Sequence, residues 1–475
     1  MMKILLYNWV PFNNPARGGG VTAYLKNLID EFQNTYQEHI VYFLCSGVYY
    51  DVHDRSLRYE QLQLKDTGNC QCYAIINSPV FSPAYLSFFT INQVIENDEL
   101  RVLFEQFLDE HGPFDVVHFH NIEGLSVNVL KSKRHFSKTK YCYSMHNYYA
   151  LCPQVNFWKH ERICCDMGDT GRQCLGCMID HVPAEKLRQK MSMTYDLIKN
   201  YSPEREAHYL AIGKELDEKY RAEEKRDLTQ YEIAMLENYL SLYRKEMISA
   251  LNDNIDMILA VSGRVKDIAV KCGVNENKIK VSYIGTRAAD NAKVSCNETS
   301  SEVPISMIYL GYQRRDKGFF FLVDILEAMD AETASKINLT IAAKGNEESQ
   351  KKWRIDGKKF HSYTFQNGYK REELEELLCD KNLGIVPVLW EDNLPQVAIE
   401  MAAHGVPVLS ADLGGARELC NDPIFSFPAG DIDKCLERIR MFTQHPEILQ
   451  KYYQSFNGLT TMRSHLNELL KLYEE

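Results

Sequence analysis

The chain has 475 residues, 45% of them hydrophobic and 25% charged, with 54 Lys and Arg against 65 Asp and Glu for a net charge of −11. That length asks for two or three domains, each able to bury a core without metal or disulfide staples. The acidic balance argues against a nucleic-acid partner, and no stretch of 18 apolar residues is present to span a membrane. The opening MMKILLYNWVPFNNP lacks the apolar core and small-residue cleavage site of a secretion signal, so the expected location is the cytoplasm.

Short apolar runs come first in chain order, at 2–8, 39–46, 72–78, 115–121, 140–147, 257–262 and 278–285. Nearly continuous apolar runs of this length suit strands buried on both faces of a parallel sheet. The segment 21–34 has apolar residues three and four apart and predicts a helix between the first two strands. Residues 184–252 break the alternation. They are charged and helical in pattern, with Leu236, Leu240, Tyr243 and Met247 on one face and interruptions at Pro203 and Gly213. We read them as a helical insertion, either a solvated helix pair or a surface turned to an acceptor or a membrane. A polar stretch ending in Pro304 supplies a linker at 291–304. Strand-like runs then resume at 305–312, 337–345, 360–368, 383–390, 407–415 and 423–427, with helical patterns at 318–329 and 370–379. The reading is an α/β fold of two doubly wound domains, 1–290 and 305–455, followed by a terminal helical segment 456–475 that packs back on the first. Ligands of such sheets bind at the carboxyl ends of the strands, here in the cleft between the domains.

Chemistry-bearing residues cluster after those strand ends. Gly18, Gly19 and Gly20 precede the first helix, where bare backbone and a helix N-terminus can approach a phosphate. The stretch from Gly311 to Gly318 holds Arg314, Arg315 and Lys317, a candidate cationic clamp for a diphosphate. Asp392 falls in a loop after a strand and Glu400 eight residues later on the next helix, so two carboxylates can reach one hydroxyl-rich ligand. His146 stands at a strand end, whereas His118 and His120 read as structural. Five of the 14 cysteines lie between Cys152 and Cys177. Cys174 and Cys177 form a C-x-x-C half-site that Cys152 and either Cys164 or Cys165 could complete. We take Cys152, Cys164, Cys174 and Cys177 as the candidate structural zinc set, with disulfides and free thiols as the alternatives.

The ordered set resembles a family. Gly311…Lys317-Gly318, Asp392…Glu400, Gly405-Val-Pro407-Val408 and Gly414-Gly415-Ala-Arg-Glu418 follow one another as in the retaining GT-B glycosyltransferases of family 4. Gly18-Gly19-Gly20, Asp115-Val-Val-His118-Phe-His120 and Ser144-Met-His146-Asn147 extend the likeness into the first half. The cysteine-rich segment, 150–180, is similar to one found in a subset of that family.

The resemblance implies a GT-B fold, two Rossmann-like domains facing a cleft, and sugar transfer from a nucleotide-diphosphate donor to a glycan or lipid-linked acceptor with retention of configuration. It implies a place in polysaccharide or glycolipid synthesis, no nucleic acid, no cofactor required for catalysis, and a cytoplasmic protein open to peripheral membrane association. By position, Lys317 with Arg314 or Arg315 neutralises the diphosphate, Glu400 holds the ribose and Asp392 meets the transferred sugar. His146 sits by the reacting sugar, while Gly19, Gly20, Gly414 and Gly415 approach the donor. The chain departs from the pattern at Asp392, where the family carries Glu, at Tyr312, where it carries Arg, and at Ala343-Lys344-Gly345, where it carries a more glycine-rich turn. A catalytically silent glycan- or partner-binding protein and a nucleotide-sugar epimerase are the alternatives.

Overall fold

The computed structural model describes residues 1–12, 19–64, 67–83, 90–159, 162–168, 170–178, 184–222, 229–293, 295–297 and 303–475. The first half builds a sheet from β1 (Lys3–Tyr7), β2 (Ile40–Ser46), β3 (Arg58–Gln61), β4 (Gln71–Ile76), β5 (Val116–Phe119), β6 (Lys140–Met145), β7 (Met257–Ala260) and β8 (Ile279–Val281). Their order is β8-β7-β6-β5-β1-β2-β4-β3. Every pair is parallel except β3 with β4. Leu5 on β1 is aligned with Tyr42 on one side and Val117 on the other. β1, β5 and β7 are buried almost throughout, which is why their sequences read as apolar runs rather than alternations. The antiparallel edge β3 is polar, with sequence Arg-Tyr-Glu-Gln, and carries no such run to announce it.

The second half repeats the design with β9 (Ile305–Tyr312), β10 (Ile337–Lys344), β11 (Ser362–Gln366), β12 (Leu383–Val386), β13 (Val408–Ala411) and β14 (Ser426–Phe427), ordered β11-β10-β9-β12-β13-β14 and parallel throughout. In each sheet the strand order reverses at an internal strand, beside β1 in one and β9 in the other. Connections leaving such a point run in opposite directions and open a crevice at the carboxyl ends.

Helices complete the layers: α1 (Gly20–Thr35), α2 (Ala184–Lys199), α3 (Pro203–Ala222), α4 (Gln230–Asn254), α5 (Gly263–Lys271), α6 (Phe319–Ala328), α7 (Gln396–Ala403) and α8 (Met462–Glu474). Among the described residues the insertion is three helices, α2 to α4. Thr229 and Glu232 form a reciprocal capping box that starts α4, and Leu236, Leu240, Tyr243 and Met247 bury its inner face. Tyr243 donates to the carbonyl of Tyr149 at 2.6 Å. From the same helix Arg244 donates to the carbonyls of Leu151, Met167 and Gly168, which binds the cysteine-rich segment to the domain. The last helix, α8, returns from the second domain onto α1. Its His465 is bonded to Tyr24 at 2.8 Å and its Tyr473 to His118 at 2.6 Å. No described helix is long and apolar enough to cross a membrane.

Candidate functional site

A cleft of about 770 Å³ lies between the two sheets, at the carboxyl ends of their strands. The first domain contributes Gly19, Gly20, Tyr24, His146 and Asn147, and the second Gly311, Tyr312, Lys317, Asp392 and Glu400. Gly18 lies outside the described residues.

Lys317 and Asp392 meet directly. The ammonium Nζ donates to Asp392 Oδ2 at 2.6 Å and sits 4.9 Å from the centre of the Trp390 ring. The loop that delivers Lys317 is clamped from below, because the buried Tyr309 hydroxyl donates to the carbonyls of Tyr312 and Lys317. Gly318 follows at φ +69°, and a Cβ there would fall 1.6 Å from the Pro387 carbonyl oxygen. Only glycine lets this loop lie on the end of β12, so the Lys-Gly pairing is a packing requirement as well as a chemical one. Asp392 is held through its backbone. Its carbonyl accepts from the Gly415 amide at 2.9 Å, and a Cβ on Gly414 would lie 2.0 Å from the same oxygen.

Glu400 projects from α7 into the cleft, and burial pushes its carboxyl up to about 7 despite the opposing charge of Arg371. Opposite stands a buried imidazole cluster. His146 Nε2 is hydrogen-bonded to His120 Nδ1 at 3.1 Å, and His118 is bonded to Ser144 Oγ at 2.8 Å and to Tyr473. Burial, then the neighbouring charge of His465, pulls His146 down to about 3, and burial pulls His465 down to about 4. Among the described residues the first-domain wall thus carries no charged side chain, and its imidazole is neutral at ordinary pH. Asn147, bonded through Nδ2 to Glu123 at 2.8 Å, fixes the loop that carries His146. The helix α1 begins at this wall with no side-chain cap, and its first-turn residues line the cleft.

Three expectations need correction. Arg314 and Arg315 do not line this cleft. Arg314 is turned back onto Asp316 in a bidentate pair at 2.9 Å, on the side of the loop away from Lys317. The cations that accompany Lys317 are Lys344, at the end of β10, and Arg371. Both follow strand ends of the second sheet, which is the signal that could have marked them. Gly414 and Gly415 do not line the cleft either. They shape the Asp392 loop, and the Gly414 amide donates to Glu391 at 3.0 Å.

The cysteine set also changes. Cys164 points across the domain boundary and donates to the Leu389 carbonyl at 3.5 Å. Cys165 takes its place beside Cys152, Cys174 and Cys177 around a small cavity of about 20 Å³. Among the described residues no three His, Cys, Asp or Glu side chains are arranged to hold a metal ion.

The structure adds an interdomain latch that the motifs did not announce. Both oxygens of Glu418 accept from the first amides of α5, Gly263 at 2.8 Å and Arg264 at 2.7 Å, and one also accepts from the Tyr283 hydroxyl. The Arg264 guanidinium in turn pairs with Glu391, the neighbour of Asp392. A carboxylate of the second domain therefore caps a helix of the first.

Residues 304–445 match the family described as Glycosyl transferases group 1. The matched stretch takes in the second sheet and carries Lys317, Asp392 and Glu400. No curated protein matches the sequence. Among solved structures, the chain resembles HepE (Alr3699) of Anabaena in complex with UDP over 100% of both chains, with 13% identity and a TM-score of 0.54. It resembles sucrose-phosphate synthase of Thermosynechococcus elongatus at 15% identity and a TM-score of 0.56, and a UDP-forming α,α-trehalose-phosphate synthase of Burkholderia xenovorans in complex with glucose-6-phosphate at 12% and 0.56. Each of these two matches covers 100% of this chain and 98% of the other. At such identities the likeness is one of fold, and the fold is GT-B: two Rossmann-like parallel-sheet domains facing a cleft.

Proposed function

We propose that this protein is a retaining glycosyltransferase that moves a hexosyl or related residue from a nucleotide-diphosphate sugar to an acceptor hydroxyl. The observation that carries the reading is the Lys317–Asp392 pair in the cleft, within the domain that matches the glycosyl transferases group 1 family. As the sugar–phosphate bond breaks, charge builds on the departing diphosphate. Lys317 is placed to stabilise it, with Lys344 and Arg371 adding positive potential. Asp392 holds Lys317 and meets hydroxyls of the transferred sugar when the ammonium turns to phosphate. Glu400, as carboxylate, accepts from the ribose hydroxyls. On the other wall the neutral His146 offers one ring nitrogen to the sugar while His120 holds the other.

The acceptor hydroxyl attacks from the face that the leaving group vacates, its oxygen bonding to the anomeric carbon as the phosphate oxygen departs with the bonding pair. The acceptor proton passes to that phosphate oxygen. Charge neutralisation falls to side-chain cations and backbone amides in this reading. A glycan or lipid-linked acceptor, a role in polysaccharide or glycolipid synthesis, membership of family 4 and a cytoplasmic or peripherally membrane-bound location rest on the sequence resemblance alone.

The test is release of nucleoside diphosphate from a panel of UDP-, GDP- and ADP-sugars, with and without glycan acceptors. Turnover of one donor, lost in Lys317→Ala, is the expected result. Tight nucleotide binding without turnover of any donor would make the protein a silent binder instead.

A further inference from the structure

The loop Gln313–Lys317 has two sides. Lys317 faces the donor cleft, while Gln313 to Asp316 face a second cavity of about 810 Å³. Its far wall comes from the cysteine-rich segment of the first domain, through Asn156, Trp158 and Arg162. The cavity is thus built between the domains by a segment that the donor cleft does not use.

Its charges are unevenly matched. Of four cations on the lining, Arg314 is taken up by Asp316 and Lys352 by Glu348 at 2.7 Å. The side chains of Arg162 and Arg315 have no ion pair or hydrogen bond among the described residues, and Asp324 is the one lining carboxylate left against them. Two free guanidinium forks therefore approach one cavity from the two domains, an arrangement suited to a tetrahedral oxyanion.

The loop is pinned on this side by hydrogen bonds. Gln313, 5% exposed, donates to the Ala343 carbonyl and accepts from Ser349 Oγ and Trp353 Nε1, both at 3.0 Å. The volume far exceeds that of a phosphate ion. Asn156, Asn346 and Ser349 provide polar groups for hydroxyls beside the apolar Phe320 and Leu389.

We propose that this second cavity binds a phosphorylated sugar, with Arg162 and Arg315 gripping the phosphate. The site stands apart from the donor cleft and does not depend on the reading of that cleft. The ligand's source is either the acceptor or an effector, and the chemistry recognised is the same.

The test is calorimetric titration of the full chain with hexose 1-phosphates, hexose 6-phosphates and inorganic phosphate. At least one sugar phosphate should bind more tightly than inorganic phosphate. Arg315→Ala and Arg162→Ala should each weaken it by on the order of tenfold, the loss expected for a charge-assisted hydrogen bond. Arg315→Glu should abolish it, and Arg315→Lys should restore part of it. Lys317→Ala should leave this affinity within about twofold while weakening nucleotide binding, which separates failure of this site from failure of the donor cleft. Both arginines are exposed, so unchanged thermal unfolding of the variants is expected and is checked alongside. Consumption of the sugar phosphate in the presence of donor marks an acceptor, and binding without consumption marks an effector. The proposal is overturned if no sugar phosphate binds, if inorganic phosphate binds equally well, if the arginine variants bind like wild type, or if Lys317→Ala removes the binding.

Discussion

The two walls of the donor cleft solve different problems. The second domain presents fixed charge: Lys317 on Asp392, with Lys344, Arg371 and Glu400 nearby. The first presents uncapped backbone at α1 and imidazoles that burial keeps neutral. A leaving diphosphate demands cations, whereas sugar hydroxyls pair with directional acceptors, charged or neutral. In the proposed reaction the charged wall meets the leaving diphosphate, while the transferred sugar lies between Asp392 on that wall and His146 on the other.

The division can be broken at its strongest point first. Lys317→Ala should lower kcat by roughly 100-fold or more, as removal of a preorganised charge stabiliser does. A wild-type rate of diphosphate release would remove the second wall from the leaving-group step.

Next comes Glu400. Its carboxyl titrates near 7, so nucleotide affinity should rise as pH goes from 6 to 8, by up to about tenfold, as the ribose-accepting carboxylate forms. Binding isotherms of Glu400→Gln across the same range should be flat. In the free protein the raised value works the other way on stability. The folded state holds the proton between the ordinary carboxyl value and about 7, so this group's contribution falls as pH rises through that window.

His146→Ala should cost roughly fivefold in kcat/KM, the scale of one neutral hydrogen bond. The pH–rate profile between 5 and 8 should keep its shape, because His146 is already neutral there. A lost acidic limb would show instead that its protonation matters. The same depressed values predict acid lability. The unfolded chain takes up protons near 6.5 while His146 and His465 wait until about 3 and 4, so denaturant stability should fall as pH drops below about 6.5. The smallest effect belongs to the latch: Glu418→Gln should lower stability by about 1 kcal/mol in urea unfolding, since it weakens a charged cap on α5.

Much of this was legible in the residues. Strands with both faces buried, such as β1, β5 and β9, read as apolar runs, and the spacing from Asp392 to Glu400 brought a loop and a helix to one cleft. The polar edge β3 was not legible, since its half-buried residues follow no apolar period. The side of the loop on which Arg314 and Arg315 stand was hidden too, because a turn sends neighbouring residues to opposite faces without a compositional mark. Cys164 and Cys165 were indistinguishable for the same reason. They are adjacent, and the local backbone sends one thiol to Leu389 and the other toward Cys152.

The sequence by itself determined two α/β domains, the strand ends where chemistry gathers and the groups brought there, Lys317, Asp392, Glu400 and His146. These follow from hydrophobic period and from residue type, both local properties. Only the tertiary structure decided which charges meet. It set Lys317 on Asp392, moved Arg314 onto Asp316, brought Lys344 and Arg371 to the cleft, and put Arg162 and Arg315 on the lining of one second cavity. Residues from Gly19 to Glu400 share one cleft because two sheets pack at their carboxyl ends, and no spacing along the chain records that packing.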